Sequence, residues 1–179
     1  MVRAFVALEL PVGIRERMRI AQDTLRGCSA RLSLVDPALI HITLKFLGEV
    51  PERDLPRLAD ALKSVRFRPF PVTVGAVTLN NPRRPHTVWC TIDDHGQGEQ
   101  LFRQVEDVLE PLGFPRETRG FTPHATVARV KVPDPSLLPV IRSLGETTFG
   151  ECIVPGLKLK KSTLTPRGPI YEDLLEVVW

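Results

Sequence analysis

The sequence is poor in most of the features that mark common phosphate, metal and redox chemistries. Its three cysteines, Cys28, Cys90 and Cys152, are odd in number, far apart and without C-x-x-C spacing. That argues against a disulfide framework and a thiolate zinc site, and it points to a reducing cytoplasm. There is no Gly-rich phosphate loop with its lysine, so ATP-driven chemistry has no cradle here. There is no H-E-x-x-H and no His-x-His, so the usual histidine metal signatures are missing. No apolar run approaches the ~18–20 residues of a membrane span. The opening MVRAFVALEL is too short for a signal peptide, contains Glu9 and has no small-residue cleavage site after it, so it reads as a strand. Strong charge is absent too. A net charge of +3 and a pI near 9.0 permit a phosphate-bearing partner without requiring one. The excess cations sit in local groups: Arg66/Arg68, Arg83/Arg84, Arg116/Arg119 and Lys158/Lys160/Lys161.

Histidine is scarce as well, with four in 179 residues, yet two of them occur in the same setting. His41-Ile42-Thr43-Leu44 and His124-Ala125-Thr126-Val127 both alternate polar and apolar residues. In a strand, residues two apart share a face, so each histidine lies beside its threonine with an aliphatic pair behind them. Neither motif has a cluster of acidic residues beside it.

Periodicity organises the rest of the chain. Strand-like alternation covers Arg3 to Leu10, Leu39 to Leu47, Phe70 to Leu79, Thr87 to Ile92 and Phe121 to Val130. Helical stripes run through Ile14, Met18, Ala21 and Leu25, through Asp54 to Val65, through Gln100 to Leu112 and through Ser136 to Leu144. Phe149 to Leu159 reads as a strand interrupted at Pro155-Gly156, and Ser162 to Thr165 turns at Pro166-Arg167-Gly168-Pro169 into a last strand ending at Trp179.

These elements repeat. The motif histidines are 83 residues apart, and the arginine-bearing proline turns at Arg83 and Arg167 are 84 apart. One offset superimposes helix, motif strand, helix, strand, turn and strand, which indicates an internal duplication. The expected fold is α+β: a single bilobal domain over residues 1–179, with a first repeat of about 1–93 and a second of about 94–179. Two pseudo-two-fold lobes of antiparallel sheet with helices would bring the His-Thr faces together across a cleft, where Arg83 and Arg167 could flank them.

Two imidazoles on opposite sides of one cleft suit in-line displacement at phosphorus. One takes the proton of the incoming oxygen and the other protonates the leaving oxygen, while the threonine hydroxyls donate to the non-bridging oxygens. That chemistry needs neither metal nor cofactor. Lys45 falls on the His41 face by alternation, at the cleft rim. Phe46 could stack on a base or join the core.

The stretches HITLKFLG (His41–Gly48), FTPHATVAR (Phe121–Arg129) and KSTLTPRGPIY (Lys161–Tyr171) resemble the two-histidine phosphoesterases. More narrowly they are similar to the RNA 2′,3′-cyclic phosphodiesterases, which also carry the name 2′-5′ RNA ligases. The resemblance covers essentially the whole chain. It implies His41 and His124 as the acid/base pair, Thr43 and Thr126 as phosphate ligands, and Phe46 as a base-stacking aromatic. It also assigns Arg129 to the phosphate, although alternation from His124 puts that residue on the buried face unless the strand ends or bulges first. His124 is expected to be the base and His41 the acid. The implied partner is RNA with a 2′,3′-cyclic phosphate end, tRNA fragments and small cyclic nucleotides included, met by a cytoplasmic monomer away from membranes. Two other functions stay open: a 2′-5′ RNA ligase running the related reaction in reverse, and a non-catalytic RNA-binding module.

Overall fold

In the computed structural model, which describes all 179 residues, those periodicities become nine strands and four helices. The strands are β1 (Val2–Glu9), β2 (Arg31–Leu34), β3 (His41–Val50), β4 (Phe70–Leu79), β5 (Thr87–Asp93), β6 (His124–Val132), β7 (Gly150–Val154), β8 (Gly156–Thr165) and β9 (Gly168–Val178). The helices are α1 (Val12–Leu25), α2 (Leu55–Lys63), α3 (Gln97–Leu109) and α4 (Leu137–Ser143). None is long and apolar enough to cross a membrane. The helices lie where the apolar stripes put them, α1 burying Ile14, Met18, Ala21 and Leu25. β2 is the element that sequence patterning leaves out, since four residues are too few to show a period.

All nine strands form one antiparallel sheet in the order β7-β4-β5-β6-β3-β1-β8-β9, with β2 added beside β6. The architecture is α+β, a curled half-barrel. Its two wings meet where β3 pairs with β6, at Ile42 and Ala125. These two residues occupy the same place in their repeats, 83 positions apart, so the pair lies on the pseudo-two-fold axis. The wings are not the sequence halves. β4 and β5 leave the first half to join β6 and β7, while β8 and β9 leave the second half to join β1 and β3. The helices follow the wings: α1 and α4 pack on β6, β7 and β4, and α2 contacts both α3 and β9.

Pro155 marks the exchange. It breaks one long strand into β7, paired to β4 in one wing, and β8, paired to β1 in the other. A single residue can connect the two wings only because the sheet curls round to bring them together. Gly156 is needed at this corner, because a Cβ there would sit 1.9 Å from the Val177 carbonyl oxygen. Thirty-seven buried residues drawn from both wings and all four helices make one continuous core.

Three residues after each motif histidine the strand bulges. Opposite β3, Val6 faces Lys45 and Ala7 faces Thr43, so Leu44 has no partner. Opposite β6, Val88 faces Ala128 and Trp89 faces Thr126, so Val127 has none. A bulge inserts one residue and reverses the alternation beyond it. Phe46 and Arg129, each five positions after a histidine, therefore return to the histidine face and are exposed, Phe46 by 65%.

The same bulge corrects the placement of Lys45. It is not at the cleft rim: it is 3% exposed on the helix side, ion-paired with the equally buried Glu106 of α3 and donating to the Pro115 carbonyl oxygen at 2.8 Å. Glu106 also accepts from the Glu117 backbone N–H at 2.8 Å. Gln22 of α1, 84 positions before Glu106, occupies the matching site and donates to the carbonyl oxygens of Val35 (2.6 Å) and of the bulged Val127 (3.0 Å). A buried polar side chain from a helix thus secures each bulge.

Removing one partner of a buried ion pair strands the other charge. Glu106→Ala should therefore cost roughly 3–5 kcal/mol in urea unfolding, and the double replacement Lys45→Met/Glu106→Leu should recover most of that loss.

Candidate active site

Extending the Ile42–Ala125 pairing by one residue each way sets His41 across from Thr126 and Thr43 across from His124. The histidines are then diagonal neighbours, which in a regular sheet lie about 7–8 Å apart, their Cβ atoms somewhat closer. The sequence expectation of two histidines from opposite lobes is met, but they stand on adjacent strands of one sheet.

Each imidazole is oriented by the backbone just before its strand. His41 Nδ1 lies 2.7 Å from the Leu39 carbonyl oxygen, and His124 Nδ1 lies 2.7 Å from that of Thr122. A carbonyl only accepts, so Nδ1 carries the hydrogen in both rings, and in the neutral form Nε2 is the basic nitrogen. His41 Nε2 is 3.0 Å from Thr43 Oγ1. The Leu39 carbonyl belongs to a short turn, Pro37–Leu39, stabilised by the Asp36 carboxylate accepting from the Ala38 N–H (2.9 Å) and by Arg15 donating to the Ala38 carbonyl oxygen (2.5 Å).

Aromatic rings pack against both histidines. His41 lies 5.0 Å from the ring of Phe5 and 5.5 Å from that of Tyr171, centre to centre, and the Trp89 ring lies 4.1 Å from that of His124. The sequence patterning assigns no role to Trp89, Phe5 or Tyr171. Tyr171, the one tyrosine of the chain, stands on β9, with β1 and β8 between it and β3; only the curl of the sheet brings the two rings together. The positive charges of Arg129, Lys160 and Arg3 also act on Tyr171, which places these cations around the same hollow.

The two sites are not chemically equal. Glu9 of β1 pairs with His41, whereas the residue paired with His124 is Thr91 of β5. Glu9 is itself ion-paired to Lys160 at 2.5 Å, and Lys160 reaches Asp173 at 2.8 Å. Glu9 is the only charge in the otherwise apolar FVALEL run, and that was the one available signal for it. Desolvation by burial pushes both imidazoles below their ordinary value of about 6.5. For His41, the Leu39 carbonyl and the Glu9 charge oppose this, while Lys160 and His124 reinforce it. For His124 the Thr122 carbonyl opposes it. No three His, Cys, Asp or Glu side chains in the chain come together in a way that could hold a metal ion.

An imidazole NMR titration should thus place both midpoints below about 6.5. Trp89→Ala, which opens the His124 ring to water, should move that midpoint upward. Because folding favours the neutral rings, the stability they contribute is complete above the unfolded value of about 6.5 and is lost as pH falls through their folded values.

The chain is similar to known proteins along nearly its whole length. The LigT-like phosphoesterase family model matches the chain twice, over residues 8–90 and 93–171. An Archaeoglobus fulgidus protein named RNA 2′,3′-cyclic phosphodiesterase is 39% identical over 97% of this chain and 98% of its own length. A protein of the same name from Methanothermobacter thermautotrophicus is 36% identical over 97% of this chain and 96% of its own. Among solved structures, a Thermus thermophilus protein superimposes with a TM-score of 0.81 at 29% identity, covering 98% of this chain and 97% of that one.

Proposed function

The chain belongs to the LigT-like phosphoesterase family, and from that premise we propose that it is an RNA 2′,3′-cyclic phosphodiesterase, a metal-independent hydrolase that opens a terminal cyclic phosphate to a 2′-phosphomonoester. The observation that carries this reading is the pairing of two His-x-Thr strands across their own symmetry axis, which gives one phosphorus atom an imidazole on either side. The catalytic unit is the whole chain, residues 1–179, since each half contributes one histidine and strands to both wings.

In this mechanism His124 Nε2, which no protein group bonds, accepts a proton from water as the water oxygen attacks phosphorus. The bond from phosphorus to the 3′ oxygen breaks, and His41, protonated at Nε2, delivers its proton to that leaving oxygen. Thr43, Thr126 and Arg129 donate to the non-bridging oxygens, where charge builds up in the transition state. Phe46 offers an exposed face on which the terminal base can stack. The acid role falls to His41 because Glu9 faces it and favours its cationic form, while Thr91 offers no charge to His124. Substrates would include tRNA fragments and small cyclic nucleotides, handled by a monomer in a reducing cytoplasm where three unpaired cysteines are stable.

The test is turnover, in EDTA, of an oligoribonucleotide ending in a 2′,3′-cyclic phosphate, with the product read by phosphorus NMR. Accumulation of the 2′-phosphate, with losses of about 10²-fold or more in His41→Ala and in His124→Ala, is expected. Turnover indifferent to both substitutions would refute the mechanism.

The pH profile tests the roles. kcat/KM should be bell-shaped, rising as the free enzyme's base deprotonates and falling as its acid does, with its maximum on the acid side of about 6.5 because burial lowers both values. Glu9→Gln removes the negative charge facing His41, so the alkaline limb should shift to lower pH while the acid limb stays. A shift of the acid limb alone would reverse the two assignments.

A further inference from the structure

The symmetry of the fold is broken by charge along the line of the two motif strands. Beyond the bulge, β6 carries Arg129 on the histidine face and then Lys131, both exposed; the register slips again at Lys131, which has no partner on β2. Two strands flank it. Thr87 of β5 and Ser33 of β2 pair with Arg129 from either side, which puts two hydroxyls beside the guanidinium. Further along, Arg31 of β2 pairs with Val132, and the Val130 N–H donates to the His86 carbonyl oxygen (2.9 Å) at the foot of the β4–β5 turn that holds Arg83 and Arg84. Arg31, Arg83, Arg84, Arg129 and Lys131 are all exposed, and none of them is in an ion pair. The nearest acid along β6, Asp134, has its carboxylate engaged by the Ser136 N–H (2.9 Å) and hydroxyl (2.5 Å).

The matching direction along β3 is different. Phe46 stands where Arg129 stands on β6, and beyond it come Glu49, paired in register with Arg3, then Glu52, while Lys161 on β8 is bound to Glu172 at 2.8 Å. Arg3 and Lys161 at that end thus face carboxylates, whereas Arg167 of the β8–β9 turn is exposed and in no ion pair. Exposed cations left unpaired in a row are held apart from one another by repulsion, and they gain most when a polyanion supplies the missing charge.

Resting on the hydrolase reading above, we infer that the ramp formed by β6, β2 and the β4–β5 turn is the track for the single-stranded RNA that lies 5′ of the terminal nucleotide. The cyclic phosphate sits between the histidines and its base lies toward Phe46. The preceding phosphates leave past Arg129 and descend over Lys131, Arg31, Arg83 and Arg84. From His124 to Lys131 the strand advances roughly 20 Å, room for a few nucleotides. The enzyme is thereby directed to polymer ends in preference to free mononucleotides, because only a polymer reaches the ramp.

The test compares the wild-type chain with the variant Arg31→Gln/Arg83→Gln/Arg84→Gln/Lys131→Gln, which leaves Arg129 and the histidine strands untouched. Binding of a 5′-fluorescein single-stranded RNA dodecamer ending in a 2′-phosphate is followed by anisotropy across a potassium chloride series. In parallel, kcat/KM is measured on a cyclic-phosphate-ended dodecamer and on a mononucleoside 2′,3′-cyclic phosphate. Each lost phosphate contact on a single strand should make the slope of log K against log salt shallower by about 0.7, so a total change of about 2–3 is expected. With it should come a dodecamer Kd and kcat/KM at least about 10-fold worse at low salt and mononucleotide turnover within about 2-fold of wild type. An unchanged Kd and salt slope would overturn the track, as would equal losses on dodecamer and mononucleotide. Absence of turnover on both substrates, with the expected change in salt slope, would sink the hydrolase reading and leave the track standing.

Discussion

The contact on which the rest depends is the backbone pairing of Ile42 with Ala125. It joins two wings that would otherwise be separate sheets, and it does so at equivalent positions of the duplicated sequence. A strand that pairs with its own repeat antiparallel, centred on one residue pair, must present the flanking residues of both copies on the same face. His41, Thr43, His124 and Thr126 therefore converge without any special loop. The aliphatic residues of the motifs do the structural work: Ile42, Leu44, Ala125 and Val127 are buried among the core side chains, and that burial fixes the register.

The bulges extend this logic by three residues. In an unbroken strand the residue five after a histidine would face the core, and neither a guanidinium nor an exposed phenyl ring could reach the cleft. One unpartnered residue on each strand reverses that. It also sends position 45 inward, where a lysine survives only with a carboxylate beside it. Gln22 and Glu106, equivalent residues on equivalent helices, meet these demands with different chemistry. Gln22 bonds backbone carbonyls next to the small Ala128, and Glu106 neutralises Lys45. Duplication supplied the geometry, and divergence of single residues supplied the function: Phe46 against Arg129, Glu9 against Thr91.

Much of this was legible in the sequence, and the boundary is physical. The repeated His-x-apolar-Thr-apolar pattern, its 83-residue offset and the helical stripes are local periodicities, and they identified the two histidines, the two threonines and the four helices. What depends on partners in space was not legible. The exchange of strands between wings turns on Pro155, which reads in sequence as a mere interruption. Lys45 was misplaced because alternation is blind to a bulge. Arg129, which resemblance set against the parity of its strand, reaches the histidine face through the bulge that parity does not see. Tyr171 and Trp89 meet the histidines only through the curl of the sheet and the pairing of β5 with β6, and neither leaves a trace within its own strand.

A symmetric cleft would bind a cyclic phosphate in either of two orientations and would use either histidine as the base. Two asymmetries bear on that degeneracy. Glu9 facing His41 favours the cation on one side. Arg129 and the unpaired cations beyond it offer a path to a polyanion on the β6 side, with an apolar ring at the corresponding place on β3. Protonation and strand polarity are thereby linked: the wing that attracts the RNA backbone is the wing of the proposed base. On the proposed reading, a substrate held along that track would present its terminal nucleotide in one sense, with the leaving 3′ oxygen directed to His41. The duplicated scaffold would then yield one productive complex instead of two competing ones.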